Sequence, residues 1–246
     1  MLRLDRKNED ARNAIPGLLL QFDRDQDAYD FIVWFQRGWK KHGYTYDWLY
    51  DDLDKPMLDL HGADPSAEEA LELWSRLDDQ EIAKLSLERA SCAMLIMVRL
   101  SLGLAVAVDN QKEFKTKTVV ETMKYAHRSF PVGLLELHPE WVEQINDPAF
   151  TKTKNGLMGR AAGIALLLAD AIKKHNRLYY DMLGKPFMRG GYRDPHEDFD
   201  FVTMDDGSQV SLPEARLAFD YTFAAWDRTP GALEHIMSSA RENLGL

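Results

Sequence analysis

The residues from Ala90 to Val108 are apolar on nearly every side of a predicted helix. A helix without a polar face has to be surrounded by other elements of the fold, because no side of it suits water. The longest apolar run, Cys92 to Val108, is shorter than a comfortable membrane span and carries Arg99 near its middle. We therefore predict a mainly α-helical single domain over residues 1–246, built around a central buried helix at about 80–110.

Arg99 would bring a positive charge into this buried helix. An unpaired charge inside a protein costs several kcal/mol, so Arg99 needs a carboxylate or several carbonyl groups as partners. Cys92, the only cysteine, lies in the same apolar run and is predicted to be an inert core residue.

Breaker residues predict where several other elements begin and end. Residues 1–14 are mostly charged and predict a flexible arm or a short helix, which the breaker Ile15-Pro16-Gly17 would terminate. The polar residues 149–155 are a candidate linker. Apolar residues recur at helical spacing from Leu157 to Met182, which predicts one long amphipathic helix ending at Gly184.

The C-terminal part of the chain contains one hairpin signal and two capping patterns. Asp205-Asp206-Gly207 separates two short apolar segments, which predicts a small β-hairpin near 201–212. Ser211 with Glu214 forms a capping box at the start of a helix. Thr229, followed by Pro230, is predicted to cap the last helix in the same way.

The charge balance restricts the partners of this chain. It has 40 Asp and Glu residues against 30 Lys and Arg, a formal net charge of −10, so its average field repels nucleic-acid phosphates. A single cysteine excludes an internal disulfide framework and a multi-cysteine zinc site. Residues 1–10 are charged where a signal peptide requires an apolar segment. We expect an intracellular protein, cytoplasmic or nuclear, with no nucleic-acid partner and no membrane span.

The segment from Asp23 to Tyr50 carries the most distinctive chemistry of the sequence. Asp23 and Gln26 match a capping box, which predicts a helix that starts near Arg24. Apolar residues then recur at helical spacing on one face, and Gly43 can end the helix. An aromatic and acidic loop follows.

Aromatic and charged residues in this segment form the predicted functional site, together with a tryptophan near the C-terminus. The set consists of Arg24, Asp25, Tyr29, Trp34, Tyr46, Asp47, Trp48 and Trp226. Aromatic residues with a few polar groups are typical of a ligand pocket or a docking surface. The alternative is that Trp34, Trp48 and Trp226 are core anchors. In that case Arg24 and Asp47 would form a structural ion pair.

No metal site or cofactor is predicted. The acidic segment from Asp194 to Asp200, which includes His196, matches neither an EF-hand loop nor the His-Glu-x-x-His helix of zinc hydrolases. The histidines show no metal-ligand spacing on one helix face, and His175 is interpreted as a hydrogen-bonded core residue. No Ser or Cys lies in a recognisable nucleophile elbow. The catalytic residues are therefore unknown, with Asp25 and Asp47 as candidates.

Short sequence blocks at both ends of the chain point to a family. The blocks are Ile15-Pro16-Gly17, Arg24-Asp25-Gln26, Tyr29-Asp30-Phe31, Trp34, Tyr46-Asp47-Trp48, Leu58-Asp59-Leu60, Gly62-Ala63-Asp64, Tyr221, Ala225-Trp226 and Thr229-Pro230-Gly231-Ala232. Together they resemble a large group of uncharacterised fungal proteins that carry a MYND-type zinc finger. Because MYND fingers are interaction modules, the resemblance implies an intracellular interaction or regulatory protein.

The chain departs from this group in three ways. The finger typically lies upstream of these blocks, and this sequence has neither that segment nor its cysteines. Phe35 stands where a second tryptophan is common, and Asp23 stands where a glycine often precedes Arg-Asp-Gln. The resemblance therefore implies no zinc binding here.

Two functional hypotheses follow from the predicted site. In the first, the protein is a non-enzymatic interaction protein whose Asp23–Tyr50 surface, with the C-terminal helices, docks a protein partner. In the second, it is a cyclase-like or transferase-like enzyme that binds a small apolar ligand among the same aromatic residues. Asp25 and Asp47 would then be the acid or base groups, and Arg24 would orient the substrate.

Overall fold

The computed structural model describes residues 9–42, 86–110, 157–184, 201–203, 207 and 209–243. This part of the chain contains seven helices and two short strands. The elements are α1 (Glu9–Gln21), α2 (Asp25–His42), α3 (Leu87–Asn110), α4 (Leu157–His175), α5 (Arg177–Gly184), β1 (Phe201–Thr203), β2 (Gln209–Ser211), α6 (Leu212–Asp227) and α7 (Ala232–Asn243). The predicted mainly helical fold is confirmed.

Helix α3 is the central element of the described helices. It contacts α1, α2, α4, α6 and α7, with its longest contact along α4. Its residues from Leu87 to Leu100 are all buried, as the apolar sequence predicts. Ser86 precedes the helix, and its Oγ accepts a hydrogen bond from the backbone N–H of Arg89 at 3.4 Å. Among the described residues, no helix is long and apolar enough to cross a membrane.

The predicted break at Ile15-Pro16-Gly17 is wrong, because α1 continues through it to Gln21. A proline inside a helix loses one backbone hydrogen bond, and packing against α2, α3 and α6 stabilises α1 despite that loss. A Cβ atom on Gly17 would lie only 2.1 Å from the carbonyl oxygen of Tyr221 in α6. Gly17 therefore permits a close crossing of two helices. Residues 9–14 belong to this helix and are not a flexible arm.

Asp23 does not cap α2 in the way the sequence predicts. Its φ angle of 57° lies in the left-handed region, whereas a residue that caps a helix start has an extended conformation. The N–H of Asp23 donates to the carbonyl of Leu20 at 3.2 Å, and the N–H of Arg24 donates to that of Leu19 at 2.9 Å. These two bonds form a Schellman motif, so Asp23 ends α1. Helix α2 then starts at Asp25.

The long helix predicted from Leu157 to Met182 is divided in two at Asn176. The side chain of Asn176 is fully buried, and its Nδ2 donates to the carbonyl of Ser211 at 3.0 Å. Its Oδ1 accepts from the N–H of Tyr179 at 3.2 Å, so Asn176 also caps α5. Helical spacing alone could not show this break, because Asn176 makes its decisive bonds with a distant segment.

The predicted hairpin is confirmed, since β1 and β2 pair antiparallel with Val202 opposite Val210. The start of α6 is also as predicted, with Ser211 Oγ accepting from the N–H of Glu214 at 3.3 Å. The cap predicted at Thr229 is wrong. Helix α7 starts at Ala232, and the Thr229 hydroxyl is bonded elsewhere, as described below.

The described helices share one hydrophobic core, and each of the seven contributes residues to it. Helix α7 contributes Ala232 and Ile236. The predicted linker at 149–155 lies outside the described residues.

Candidate functional site

Arg99, on the central helix, carries a guanidinium group into the core. The side chain of Arg99 is 2% exposed. Its Nη1 donates to both carboxylate oxygens of Asp25, at 2.8 and 2.9 Å. Its Nε donates to Thr229 Oγ1 at 2.8 Å. The prediction that Arg99 needs a carboxylate or carbonyl partners is therefore confirmed.

Carbonyl oxygens at two helix ends complete the surroundings of Arg99. Nη1 and Nη2 both lie 3.4 Å from the carbonyl oxygen of Leu20, in the last turn of α1. Nη2 also donates to the carbonyl of Ala225 at 3.3 Å, in the last turn of α6. Helix C-termini carry partial negative charge, which stabilises a cation placed there. We call Arg99, Asp25, Leu20, Ala225 and Thr229 the arginine hub.

The hub connects four segments of the chain to α3. These are the end of α1, the start of α2, the end of α6 and the turn before α7. The Thr229 hydroxyl, which accepts from Arg99, donates its own proton to the carbonyl of Ala225 at 2.9 Å. Because the Thr229 hydroxyl is used in these two bonds, it does not cap the start of α7.

Asp25 is the only acidic member of the hub, and its side chain is 1% exposed. Burial raises the pKa of Asp25 from its ordinary value of 3.8 to about 6, and the Arg99 charge opposes this increase. The desolvation of the carboxylate therefore outweighs its attraction to Arg99, as is common for buried ion pairs. Asp25 also lies in the first turn of α2, where the helix dipole favours a negative charge.

A second buried polar cluster lies further towards the start of α3 and contains only neutral groups. Trp226 Nε1 donates to Ser91 Oγ at 2.9 Å, and Ser91 Oγ is hydrogen-bonded to the hydroxyl of Tyr179. That hydroxyl is 2.7 Å from Thr222 Oγ1, which donates to the carbonyl of Ala218 at 2.8 Å. We call these residues the hydroxyl chain. It joins α3, α5 and α6.

The donors of the hydroxyl chain can be ordered from its two ends. Thr222 gives its one proton to Ala218, so Thr222 accepts from Tyr179. The Tyr179 proton is then committed, so Tyr179 accepts from Ser91, and Ser91 accepts from the indole N–H of Trp226. Every hydroxyl in the chain therefore donates once and accepts once. A fully satisfied buried network of this kind specifies one packing arrangement.

Three buried side chains on this side of the core could in principle act as nucleophiles: Ser91, Tyr179 and Cys92. The described partners of Ser91 Oγ are Tyr179 and Trp226, neither of which can act as a general base for it. Burial raises the pKa of Tyr179 and of the Cys92 thiol, so both groups stay protonated at neutral pH. A protonated thiol in the core is a poor nucleophile, in agreement with the prediction that Cys92 is inert.

The outer side of the hub is an exposed turn between α1 and α2. Phe22 is 73% exposed and Leu18, one helical turn earlier, is 47% exposed. Beside them, Arg24 Nε pairs with Asp27 Oδ2 at 2.7 Å on the surface. We call Leu18, Phe22, Asp23, Arg24 and Asp27 the α1–α2 corner. Because Arg99 contacts both Leu20 and Asp25, the hub holds the two ends of this corner together.

The structure separates the predicted site residues into different environments. Asp25 and Trp226 belong to the two buried clusters, and Tyr29 is buried at 2% exposure. Arg24 lies on the surface with Asp27, whereas Trp34 is half-buried with its ring 5.9 Å from that of Phe31. Tyr46, Asp47 and Trp48 lie outside the described residues. Among the described residues, the start of α2 and the end of α6 converge on Arg99.

Sequence reasoning missed the hydroxyl chain and the apolar side of the corner. Ser91, Tyr179 and Thr222 are ordinary residues at helical positions, and 88 positions separate Ser91 from Tyr179. One sequence signal did exist for the chain, because a serine inside a helix that is apolar all round needs a partner. No sequence signal marked Phe22 as exposed, because large apolar residues are usually buried.

Comparisons of this chain with protein-family models, with curated proteins and with solved structures gave no match, so the functional argument depends on the residues themselves.

Proposed function

We propose that this protein is an intracellular, non-enzymatic interaction or regulatory protein that docks a protein partner at its α1–α2 corner. The observation that carries the proposal is the 73% exposure of Phe22 on a turn whose two ends are bonded to one buried side chain. A large apolar side chain on an exposed turn favours docking here, because the bonds of Arg99 to Leu20 and Asp25 fix the backbone on both sides of the turn before a partner binds. The resemblance to the MYND-type group supports the same class of function.

The charges around the corner favour a particular kind of partner. Asp23 is exposed beside Phe22, whereas the nearby Asp27 forms an ion pair with Arg24. The chain as a whole carries a formal net charge of −10. We therefore propose a partner segment that places an apolar side chain against Phe22 and Leu18 and carries basic residues on either side, since complementary charge assists encounter and orientation.

The enzymatic alternative draws no support from the described residues. Asp25 faces Arg99, and Trp226 donates to Ser91 in the core, so neither of them faces a ligand. Asp47, the other candidate acid or base, lies outside the described residues.

Photo-crosslinking from the corner tests this proposal. Phe22 is replaced with p-benzoylphenylalanine, which preserves an exposed aromatic ring, and the matched control carries the same substitution at Phe201, which is 59% exposed in the hairpin. In cells that express the protein naturally, position 22 is expected to crosslink a protein that position 201 does not. The crosslinked peptide should carry Lys or Arg beside an apolar residue.

A second variant separates docking from chance contact. Phe22→Ser should leave thermal unfolding nearly unchanged, because Phe22 is already largely in water. Added in excess without the photo-crosslinker, the unmodified protein should suppress the crosslink from position 22, whereas Phe22→Ser should not. Equal crosslinking from positions 22 and 201, or full competition by Phe22→Ser, would overturn the proposal.

A further inference from the structure

The end of α4 and the start of α6 are joined by a small polar contact on the surface. His175 Nε2 lies 2.9 Å from Glu214 Oε1, and the two side chains are 34% and 37% exposed. The other carboxylate oxygen of Glu214 accepts from Asn176 Nδ2 at 3.3 Å. Asn176 Nδ2 also donates to the carbonyl of Ser211, the last residue of β2. Both carboxylate oxygens are thus used at the base of the hairpin.

The positions of these residues on their helices favour opposite charges. His175 is the last residue of α4, where the helix dipole stabilises a cation. Glu214 lies in the first turn of α6, where it stabilises an anion. The backbone N–H of Glu214 donates to Ser211 Oγ, whereas its carboxylate bonds the side chains of His175 and Asn176 at the α4–α5 junction. An ionised carboxylate has no proton to donate, so Nε2 carries the hydrogen of this contact.

We propose that His175 and Glu214 form a proton-operated clasp that holds the β-hairpin and the start of α6 against the α4–α5 junction. The clasp is tight when His175 is protonated and loose when it is neutral. This inference is independent of the proposed function, because none of its residues belongs to the α1–α2 corner.

The charged groups around His175 determine the direction of the response. Glu214 on α6, through its hydrogen bond first and its charge second, and Glu88 on α3 raise the pKa of His175 above 6.5, and partial burial opposes them. On α4, Lys174 is paired with Asp170 at 3.0 Å, and Lys173 Nζ lies 6.0 Å from the ring of Tyr180. On α5, Arg177 Nε is 3.9 Å from Asp181. Negative charge therefore predominates in the direction of Glu214.

The pH range of the clasp follows from its two members. The raised pKa of His175 means that its contribution is complete below 6.5 and is lost as pH rises through the raised value. The hydrogen bond from His175 lowers the pKa of Glu214, so that contribution is complete above 4.5 and is lost as pH falls through the lowered value. The clasp is therefore tightest between about pH 4.5 and 6.5.

Hydrogen exchange of the hairpin amides, combined with a titration of His175 by NMR, tests the clasp. After correction for the intrinsic exchange rate, protection of residues 201–203 and 209–211 should fall about twofold to fivefold between pH 5.5 and pH 8.5, the range expected for a partly exposed ion pair. The midpoint of this fall should coincide with the titration of His175.

Three variants isolate the proton from the hydrogen bond. His175→Gln retains a donor but cannot titrate, and Glu214→Gln retains an acceptor but carries no charge. Both should make hairpin protection, measured relative to that of the buried α3 amides, independent of pH over this range. His235→Gln is the matched control, since His235 is a half-buried histidine on α7 whose pKa is lowered by burial. This control should respond to pH as the unmodified protein does.

Two results would overturn the clasp. One is hairpin protection that stays constant in the unmodified protein while His175 titrates, which requires no variant to fold. The other is a fall in hairpin protection relative to the α3 amides that persists in His175→Gln.

Discussion

Ser91 and Arg99 are both buried on α3, and both are bonded to the last turns of α6, but their surroundings differ in charge. Arg99 meets a carboxylate, two carbonyl oxygens and a hydroxyl, whereas Ser91 meets an indole and a phenol. The hydroxyl chain contains no formal charge, so its contribution to stability should not change with pH below the titration of tyrosine. The arginine hub contains an ion pair, and its contribution should change.

The hub also differs from the hydroxyl chain in how its members depend on one another. Arg99 retains the oxygens of Leu20, Ala225 and Thr229 when Asp25 becomes neutral. Asp25, in contrast, is paired with Arg99 as its one cationic partner among the described residues. The comparison therefore suggests that Arg99 organises the hub and that Asp25 is its more replaceable member.

Replacement of Arg99 should have the largest effect. Arg99→Met retains much of the apolar volume but removes the guanidinium that faces Asp25, so we expect a loss of about 3 to 5 kcal/mol in the free energy of unfolding at pH 7.5. Without the opposing charge, the pKa of Asp25 should rise further above 6. The loss should therefore become smaller as pH falls towards 4. Urea unfolding at several pH values measures it, and a loss that is independent of pH would contradict the electrostatic part of this comparison.

The second prediction concerns the pH dependence that Asp25 confers. A pKa of about 6, compared with 3.8 in the unfolded chain, means that the folded protein binds the proton more tightly. The corresponding stabilisation, about 3 kcal/mol, is complete below pH 3.8 and is lost as pH rises through about 6. Asp25→Asn cannot titrate, so the difference in unfolding free energy between this variant and the unmodified protein should change in that window. A constant difference from pH 4 to pH 8 would show that Asp25 has an ordinary pKa.

An intermediate effect is expected in the hydroxyl chain. Tyr179→Phe removes the acceptor of Ser91 and the donor to Thr222, so two buried groups lose a partner at a cost of about 2 kcal/mol. The loss should be the same at pH 5 and pH 8, unlike that of Arg99→Met. Chemical unfolding at both values measures it. Thr222→Val, which leaves the Tyr179 hydroxyl without its acceptor but keeps the bond between Ser91 and Tyr179, is the milder companion variant.

The smallest effect is expected at the corner that the hub supports. Asp23→Gly should stabilise the protein by less than about 1 kcal/mol, because glycine adopts the φ angle of 57° without strain but loses more entropy on folding. Asp23→Asn is the control, since it keeps a side chain but removes a charge that adds to the effect of burial in raising the pKa of Asp25. Thermal unfolding of the pair separates backbone strain from charge, and a destabilising Asp23→Gly would contradict the Schellman motif.

Sequence reasoning predicted most of the described fold because local signals decided it. The apolar stretch of α3 predicted a central helix, and the Ser211 cap predicted the start of α6. The failures occurred where distant segments act on the chain. Packing of α1 on α6 keeps Pro16 and Gly17 within a helix, and the bond of Asn176 to Ser211 divides a helix that periodicity predicts to be continuous.

The candidate site was predictable only in part, for the same reason. The need of Arg99 for oxygen partners follows from one residue in an apolar helix. Its partner could not be identified from the sequence, because Asp25 is 74 positions away and many other acidic residues were available. Asp25 therefore entered the predictions as a candidate acid or base, whereas the structure places it in an ion pair.

The most direct test of the dominant role of Arg99 is the difference in unfolding free energy between Arg99→Met and Asp25→Asn, measured in urea at pH 7.5. Arg99→Met leaves a buried carboxylate without its cation, whereas Asp25→Asn leaves the guanidinium with three other oxygen atoms. We predict that Asp25→Asn is more stable than Arg99→Met by at least about 2 kcal/mol. Equal stabilities, or a less stable Asp25→Asn, would show that the two members of the pair depend on each other equally and would contradict this account.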